Sequence, residues 1–161
     1  MTRLAPMSAA EFAAYFEALI PDYAMDKVTA GQWTPDESQA RSAAEVASLL
    51  PAGQATPGHH FRVIEDASGQ TVGLIWFAAE EQGGQKIAYV YDIRIFPEAR
   101  RKGHARRAFR ALEGLVQELG LAGIGLHVFG HNAAAHALYV ELGYRPTGIN
   151  LFKALGPPLP N

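Results

Sequence analysis

The sequence contains no cysteine. That single absence excludes disulfides, thiolate metal ligands and a cysteine nucleophile together, and it fits a reducing compartment. Long apolar runs are also missing: nothing approaches the ~18 residues a membrane helix needs. The opening MTRLAPMSAAEF has no apolar core and no cleavage site, so no signal peptide is expected. No membrane partner is expected, and the expected location is the cytoplasm. Charge of one sign is lacking too, since 14 Lys and Arg stand against 16 Asp and Glu for a net −2. A nucleic-acid binder would be basic, so none is expected. Neither a G-x-G-x-x-G fingerprint nor a G-x-S-x-G elbow occurs, which counts against a dinucleotide fold and a serine nucleophile. The six histidines do not form a metal pattern: His131 and His136 are five apart and His59-His60 reads as loop, so no metal is expected.

What is present is a concentration of positive charge. Six of the 14 basic residues are Arg100, Arg101, Lys102, Arg106, Arg107 and Arg110, with no acid among them. Charge alone favours a solvated helix face over an anion site. The local pattern shifts the balance. A strand ends near Pro97, a short basic turn follows, and Gly103 opens a long helix. The first N–H groups of a helix have no internal partner and carry the positive end of its dipole, so a phosphate is held well there. Gly103 and Ala105 let a ligand approach the backbone, whereas cations at a helix start oppose the dipole unless an anion joins them. We read the turn as an anion site ahead of an ordinary helix start.

The length of 161 residues fits one domain, 1–161. Residues 2–5 read as a short strand. Ser8 and Glu11 form a capping box for a helix that Pro21 should end. A second helix starts near Thr34-Pro35 and stops before Pro51. The Gly- and Pro-rich stretch 51–60 reads as loop. Three strands follow, 61–65, 71–79 and 86–96, joined by turns at 67–69 and Gly83-Gly84 as an antiparallel meander. A helix over 103–119 carries one apolar stripe (Ala105, Phe109, Leu112, Val116, Leu119) and is capped by Gly120. Ile124–Phe129 reads as a strand, Asn132 caps another helix ending at Gly143, and a last strand starts at Tyr144, interrupted by Pro146. The tail GPPLPN reads as irregular. Strand 86–96, helix 103–119 and strand 124–129 form a crossover unit, which makes those two strands parallel.

Two motifs now stand in order. Arg100-Arg101-Lys102-Gly103-His104-Ala105 matches a Q/R-x-x-G-x-G/A pattern. The run Asn132 to Tyr144, NAAAHALYVELGY, matches N-x-x-A-x-x-L-Y-x-x-L-G-Y/F. Together they make residues 86–153 resemble the acetyl-CoA-binding core of the GNAT superfamily of N-acetyltransferases. The resemblance implies an α/β (α+β) fold: a mixed, mostly antiparallel sheet of 6–7 strands, helices on both faces and a splayed parallel pair. It implies that Ile93, Arg94 and Ile95 offer backbone groups to the pantetheine arm. Arg100, Arg101, Lys102, Gly103, His104 and Ala105 would hold the pyrophosphate. Arg101 departs from the glycine common in the family, and its side chain is expected to point outward.

Acetyl transfer to an amine needs a neutral amine, a stabilised carbonyl oxygen and a proton for the departing thiolate. With the motif, Tyr139 is the candidate proton donor, and Ala135, four residues earlier, shares its face and leaves room for the cofactor. Asn132 is a helix cap and a candidate cofactor contact. Asp92, in the apolar strand segment YVYDIRIF, is the candidate base, with a structural pair to Arg94 as an equal reading. A bulge in that strand would change the pairing. Trp76, Tyr91, Phe77 and Trp33 are candidates for the acceptor pocket beside the commoner core reading, His127 is a candidate base or acceptor contact beside a structural histidine, and Glu80 and Glu81 suit a cationic amine or only cap a hairpin. The expected activity is acetyl transfer from acetyl-CoA to a primary amine of a small molecule or peptide, by direct attack in a ternary complex. The alternatives are a non-catalytic acyl-CoA-binding regulatory module and a nucleotide-binding regulator. Dimers are common in the family, so a homodimer stays open.

Overall fold

The computed structural model describes residues 1–157. The last four residues of the tail GPPLPN lie outside the described residues. In chain order the elements are β1 (Arg3–Pro6), α1 (Ala9–Thr29), α2 (Pro35–Leu49), β2 (His59–Glu65), β3 (Thr71–Gln82), β4 (Gln85–Ile95), α3 (His104–Glu118), β5 (Ile124–Leu126) and α4 (Ala133–Glu141). The fold is α+β. Among the described residues one sheet of five strands runs β1-β2-β3-β4-β5. The first four are antiparallel neighbours, and β4 and β5 are parallel.

The chain divides into two compact units. The first comprises Met1–Phe16 and Ala47–His127 and contains the whole sheet. Strand alternation gives it two apolar faces. On one, Ile64, Val72, Ala99 and Ala108 of α3 form a buried cluster joined by Leu4, Ile93 and Ile95. Ala108, Phe109, Leu112 and Val116 bury the stripe of α3, each large apolar side chain contributing about 1.5–3 kcal/mol. On the other face, Phe12 and Tyr15 of α1 pack on Phe61, with ring centroids 4.8 and 6.4 Å apart. Helices therefore cover both faces of the sheet. The Ser8–Glu11 capping box closes reciprocally at 2.7 and 3.1 Å. Gly83 and Gly84 turn the β3–β4 hairpin with φ of 58° and 78°, the conformation a tight two-residue hairpin requires.

The second unit comprises Glu17–Val46 and the chain from Val128 onward. Its centre is aromatic. Tyr23 meets Trp33 edge-on at 5.6 Å, and Lys27 Nζ lies within 5.9 Å of the Tyr23, Trp33 and Phe129 rings. Here the structure corrects the expectation at Pro21: α1 does not end there but continues to Thr29. An internal proline forfeits one helical hydrogen bond. Contacts beyond it outweigh that loss: Ala24 is fully buried, Tyr23 Oη donates to Glu45 at 2.8 Å, and Ser42 Oγ donates to the Ile20 carbonyl at 2.7 Å.

Three other expectations are corrected. The strand expected from Tyr144 is absent, since residues 145–157 carry neither helix nor strand. Pro146 has no N–H for a ladder, and Ile149, Leu151, Phe152 and Leu155 are all exposed, so burial does not hold the segment extended. The strand expected over 124–129 ends at Leu126 because its parallel ladder with β4 covers only Ala88–Val90, stopping where β4 bulges. The sheet thus has five strands among the described residues rather than six or seven. In compensation β2 starts early, so His59 and His60 lie on a strand and not in a loop.

Candidate active site

The site begins at a mismatch of lengths. β5 pairs with β4 only as far as Val90↔Leu126, yet β4 runs on to Ile95. Beyond Val90, β4 is paired on its β3 side alone. In an antiparallel ladder alternate residues turn their backbone groups to the partner. Phe96 N–H donates to Val72 on that side, so Ile93 and Ile95 turn theirs to the side where β5 has ended. Arg100 marks the same side, its Nε donating to the Ile95 carbonyl at 3.0 Å. The β3–β4 approach that exposes this edge requires Gly73, where a Cβ would sit 2.1 Å from the Arg94 carbonyl oxygen.

The basic turn leads directly from this edge. Pro97–Ala99 form a short 3-10 turn, and the chain then passes through Arg101 at φ 61° and Gly103 at φ 80°. Left-handed residues in a turn line backbone N–H groups along a concave side that suits anions. Gly103 is the N-cap of α3 and has no side chain to cap it. The first intrahelical bond is Arg107 N–H to the Gly103 carbonyl at 3.2 Å, so the N–H groups of the first turn face out of the helix start. The cations do not only add charge. Lys102 Nζ donates to the Glu98 carbonyl at 3.2 Å, and Arg107 Nη2 donates to the Lys102 carbonyl at 2.7 Å. They occupy carbonyls and leave N–H groups as the free polarity of the turn. Residues Arg100 to Gly103 are exposed, His104 and Ala105 half-buried, and the Arg101 side chain is among the exposed ones.

Asp92 and Arg94 lie on one face and pair at 2.9 Å; Tyr15 Oη also donates to Asp92, at 2.8 Å. The expected bulge occurs in β4, yet it leaves this pair intact: Trp76 pairs with Asp92 and Phe77 with Val90, so Tyr91 is the extra residue. Tyr91, two residues after Tyr89, lies on the Trp76 face by strand alternation and stacks there at 4.6 Å, and the bulge turns Asp92 to that face as well. Trp76 Nε1–H donates to His59 Nδ1 at 3.0 Å, His59 stacks on Tyr91 at 5.8 Å, and Tyr89 meets Tyr91 edge-on at 5.0 Å. Tyr91 Oη donates to Glu80 in a very short hydrogen bond. Burial, that bond and the Glu80 charge push the Tyr91 phenol well above its ordinary range. Burial pulls the His59 imidazole down, against the nearby Glu80 charge.

The structure thus brings Trp76 and Tyr91 together, as it does Ile93, Ile95 and Arg100. Phe77, by contrast, is fully buried against His60. Trp33 is buried in the second unit beneath Arg41, 4.7 Å from its ring. His127 lies exposed just after β5. Within the second unit, Asn132 caps α4 by accepting from Ala135 N–H at 3.2 Å. Tyr139 is half-buried with its ring 5.7 Å from Tyr144. Sequence reasoning missed His59, Tyr89 and Tyr15. The period-two run His59, Phe61, Val63 was a signal for the first of these.

Known proteins align with this arrangement over most of the chain. The profile of the Acetyltransferase (GNAT) family matches residues 16–144. YycN of Bacillus subtilis, an uncharacterized N-acetyltransferase, is 36% identical over 152 residues, covering 94% of this chain and 97% of its own. YdgE of the same organism, also an uncharacterized N-acetyltransferase, is 32% identical with the same coverage. The crystal structure of YycN superposes with a TM-score of 0.91 at 35% identity, covering 96% of this chain and 99% of that one.

Proposed function

This chain belongs to the GNAT family of acetyltransferases and is an N-acetyltransferase, and from that premise we propose that it moves an acetyl group from acetyl-CoA to a primary amine of a small molecule or peptide. Membership implies acetyl-CoA and an amine acceptor. Direct attack in a ternary complex is the finer reading, supported by the absence of a cysteine and of a G-x-S-x-G elbow to carry a covalent intermediate, and the cofactor site is supported chiefly by one observation. The edge of β4 at Ile93 and Ile95 continues into a turn with two left-handed residues and an uncapped helix start. A strand edge suits the amide-bearing pantetheine arm, and outward N–H groups suit a pyrophosphate. Ile93, Arg94, Ile95 and Arg100 to Ala105 are accordingly assigned to acetyl-CoA. Asn132 and Ala135 join them from their places in the second motif.

In the transfer a nitrogen–carbon bond forms and the thioester carbon–sulfur bond breaks. The ammonium loses two protons in total, one to solvent and one that balances the thiolate. We assign the second proton to Tyr139, whose phenol has an ordinary pKa near ~10 against ~8.5 for a thiol. Asp92 is already paired with Arg94 and bonded by Tyr15, so its carboxylate is engaged within β4 and α1. We therefore give it the positioning of β4 rather than the proton. His127 remains a proposed acceptor contact.

The test is a melting scan with acetyl-CoA, ATP and NAD. At 100 times the dissociation constant a ligand adds about 2.7 kcal/mol, or roughly 5–10 °C for a domain of this size. The expected result is a shift of that order with acetyl-CoA alone, abolished in Gly103→Ala. Tyr139→Phe should keep the shift and lose about 100-fold in turnover. A missing shift would remove the cofactor assignment, turnover unaffected by Tyr139→Phe would remove the proton-donor role, and a shift without turnover in the wild type would favour the non-catalytic binding module.

A further inference from the structure

Glu80 stands out among the acids of the sheet. Glu65 is paired with Arg3 and Asp92 with Arg94. Glu80 is half-buried beside the rings of Tyr89, Tyr91 and His59, and among the described residues no Lys or Arg pairs with it. Its one hydrogen bond comes from Tyr91 Oη. An ionised carboxylate has about four acceptor positions, so most of its capacity is unused, and a partly buried charge in that condition is costly unless a cation joins it. The rings around it are themselves attractive to a cation.

The other titratable members of the cluster cannot take its place. An indole N–H only donates, so the bond from Trp76 fixes His59 Nδ1 as acceptor and leaves the ring's proton on Nε2. The basic lone pair of His59 is thus occupied. Tyr91 is a donor toward Glu80. The cluster therefore presents one negative charge in an aromatic wall, built from three strands, β2, β3 and β4.

We infer that Glu80 is the ammonium-binding residue for the acceptor, and that the acceptor class is an amine with no carboxylate on the carbon next to nitrogen: alkyl- and aralkylamines and amide-linked N-termini, rather than free α-amino acids. The inference rests on the acetyltransferase reading and deepens it. An α-carboxylate would lie within about 5 Å of Glu80 with no cation of the cluster to offset it, and like charges at that separation repel strongly outside bulk water. Glu80 holds the ammonium and does not itself become the proton's final acceptor. The proton passes to solvent before attack, since a carboxylate is about 6 pKa units less basic than an alkylamine.

The experiment compares phenethylamine, phenylalaninamide and phenylalanine as acceptors for the wild type, Glu80→Gln and Glu81→Gln, reading kcat and KM together with the acetyl-CoA melting shift. Phenylalaninamide keeps the bulk of the acid and removes its charge. Phenethylamine and phenylalaninamide should exceed phenylalanine about 100-fold in kcat/KM. Glu80→Gln, which keeps a carbonyl for the Tyr91 bond, should raise KM for the good acceptors at least 10-fold. Glu81→Gln removes the same charge from the adjacent, exposed position on the other face, and should change little. The inference is overturned if phenylalanine matches its amide, if Glu80→Gln stays within about 3-fold of wild type, or if no acceptor in the set is used. An intact acetyl-CoA shift in those cases would leave the acetyltransferase reading standing, and a lost shift would bring down both.

Discussion

The basic turn and the aromatic cluster sit toward opposite ends of the same β3–β4 pair, and they are built in opposite ways. The turn is a continuous segment, Arg100 to Ala105, whose chemistry is backbone N–H groups set by local φ angles. The cluster draws His59, Trp76, Glu80, Tyr89 and Tyr91 from three strands and works through side chains. One depends on conformation, the other on register. A site of the first kind tolerates changes of side chain and fails on changes of backbone, and the reverse holds for the second.

The strongest way to break the comparison is at Gly73, where backbone geometry and register meet. Its added Cβ would lie 2.1 Å from the Arg94 carbonyl oxygen, a main-chain atom that cannot rotate away. Gly73→Ala should force β3 and β4 apart beside Ile95 and disturb the acceptor of Arg100 Nε. We expect a loss of about 3 kcal/mol, a fall in Tm of roughly 6–12 °C, and a reduced acetyl-CoA shift. Retention of near-wild-type Tm would mean that this strand approach is softer than its geometry implies.

The same contrast explains what was legible in the sequence. The turn, the capping box and both hairpin glycines are local patterns found where expected, and the stripe of α3 is buried at Phe109, Leu112 and Val116 but not at Leu119, which is exposed at the helix end. The resemblance carried by two short motifs reached the family. The cluster was hidden because it depends on two non-local facts: β2 starting at His59 despite the Gly and Pro before it, and the β3–β4 register that sets Tyr89 and Tyr91 on the face of Trp76. Strand alternation alone would have put Asp92 on the face away from Trp76, and the bulge at Tyr91 brings it round. The expected end at Pro21 failed because tertiary contacts of Tyr23, Ala24 and Ser42 outweigh one lost helical bond. The expected last strand failed for the converse reason, apolar side chains without burial around Pro146.

A smaller effect sharpens the side-chain half of the comparison. Burial lowers the pKa of His59 and of His60, with Arg62 and His59 adding to the shift at His60. The folded state therefore prefers both rings neutral. This contribution to stability is complete above the ordinary histidine value of 6.5 and is lost as pH falls through the lower folded values. Between pH 7.5 and pH 5, Tm should fall more in the wild type than in His60→Gln. Glu80 partly opposes the shift at His59, so Glu80→Gln should deepen the acid loss. Parallel pH curves for all three proteins would detach the histidines from acid sensitivity.

The smallest expected effect isolates the backbone half. Arg101 holds φ 61° with an exposed side chain, a conformation that costs a non-glycine residue about 1–2 kcal/mol. Arg101→Gly removes that strain but adds chain entropy to the unfolded state, a loss of about 0.5–1 kcal/mol. The difference is a gain of about 0–1.5 kcal/mol, so Tm should rise by no more than about 6 °C. Affinity for acetyl-CoA is the sharper readout. If the pyrophosphate is held by N–H groups, deleting one outward guanidinium should weaken binding by less than about 3-fold, the scale of an exposed charge. A fall of 10-fold or more would mean that side-chain charge carries the turn after all, and that it differs from the cluster in position but not in kind.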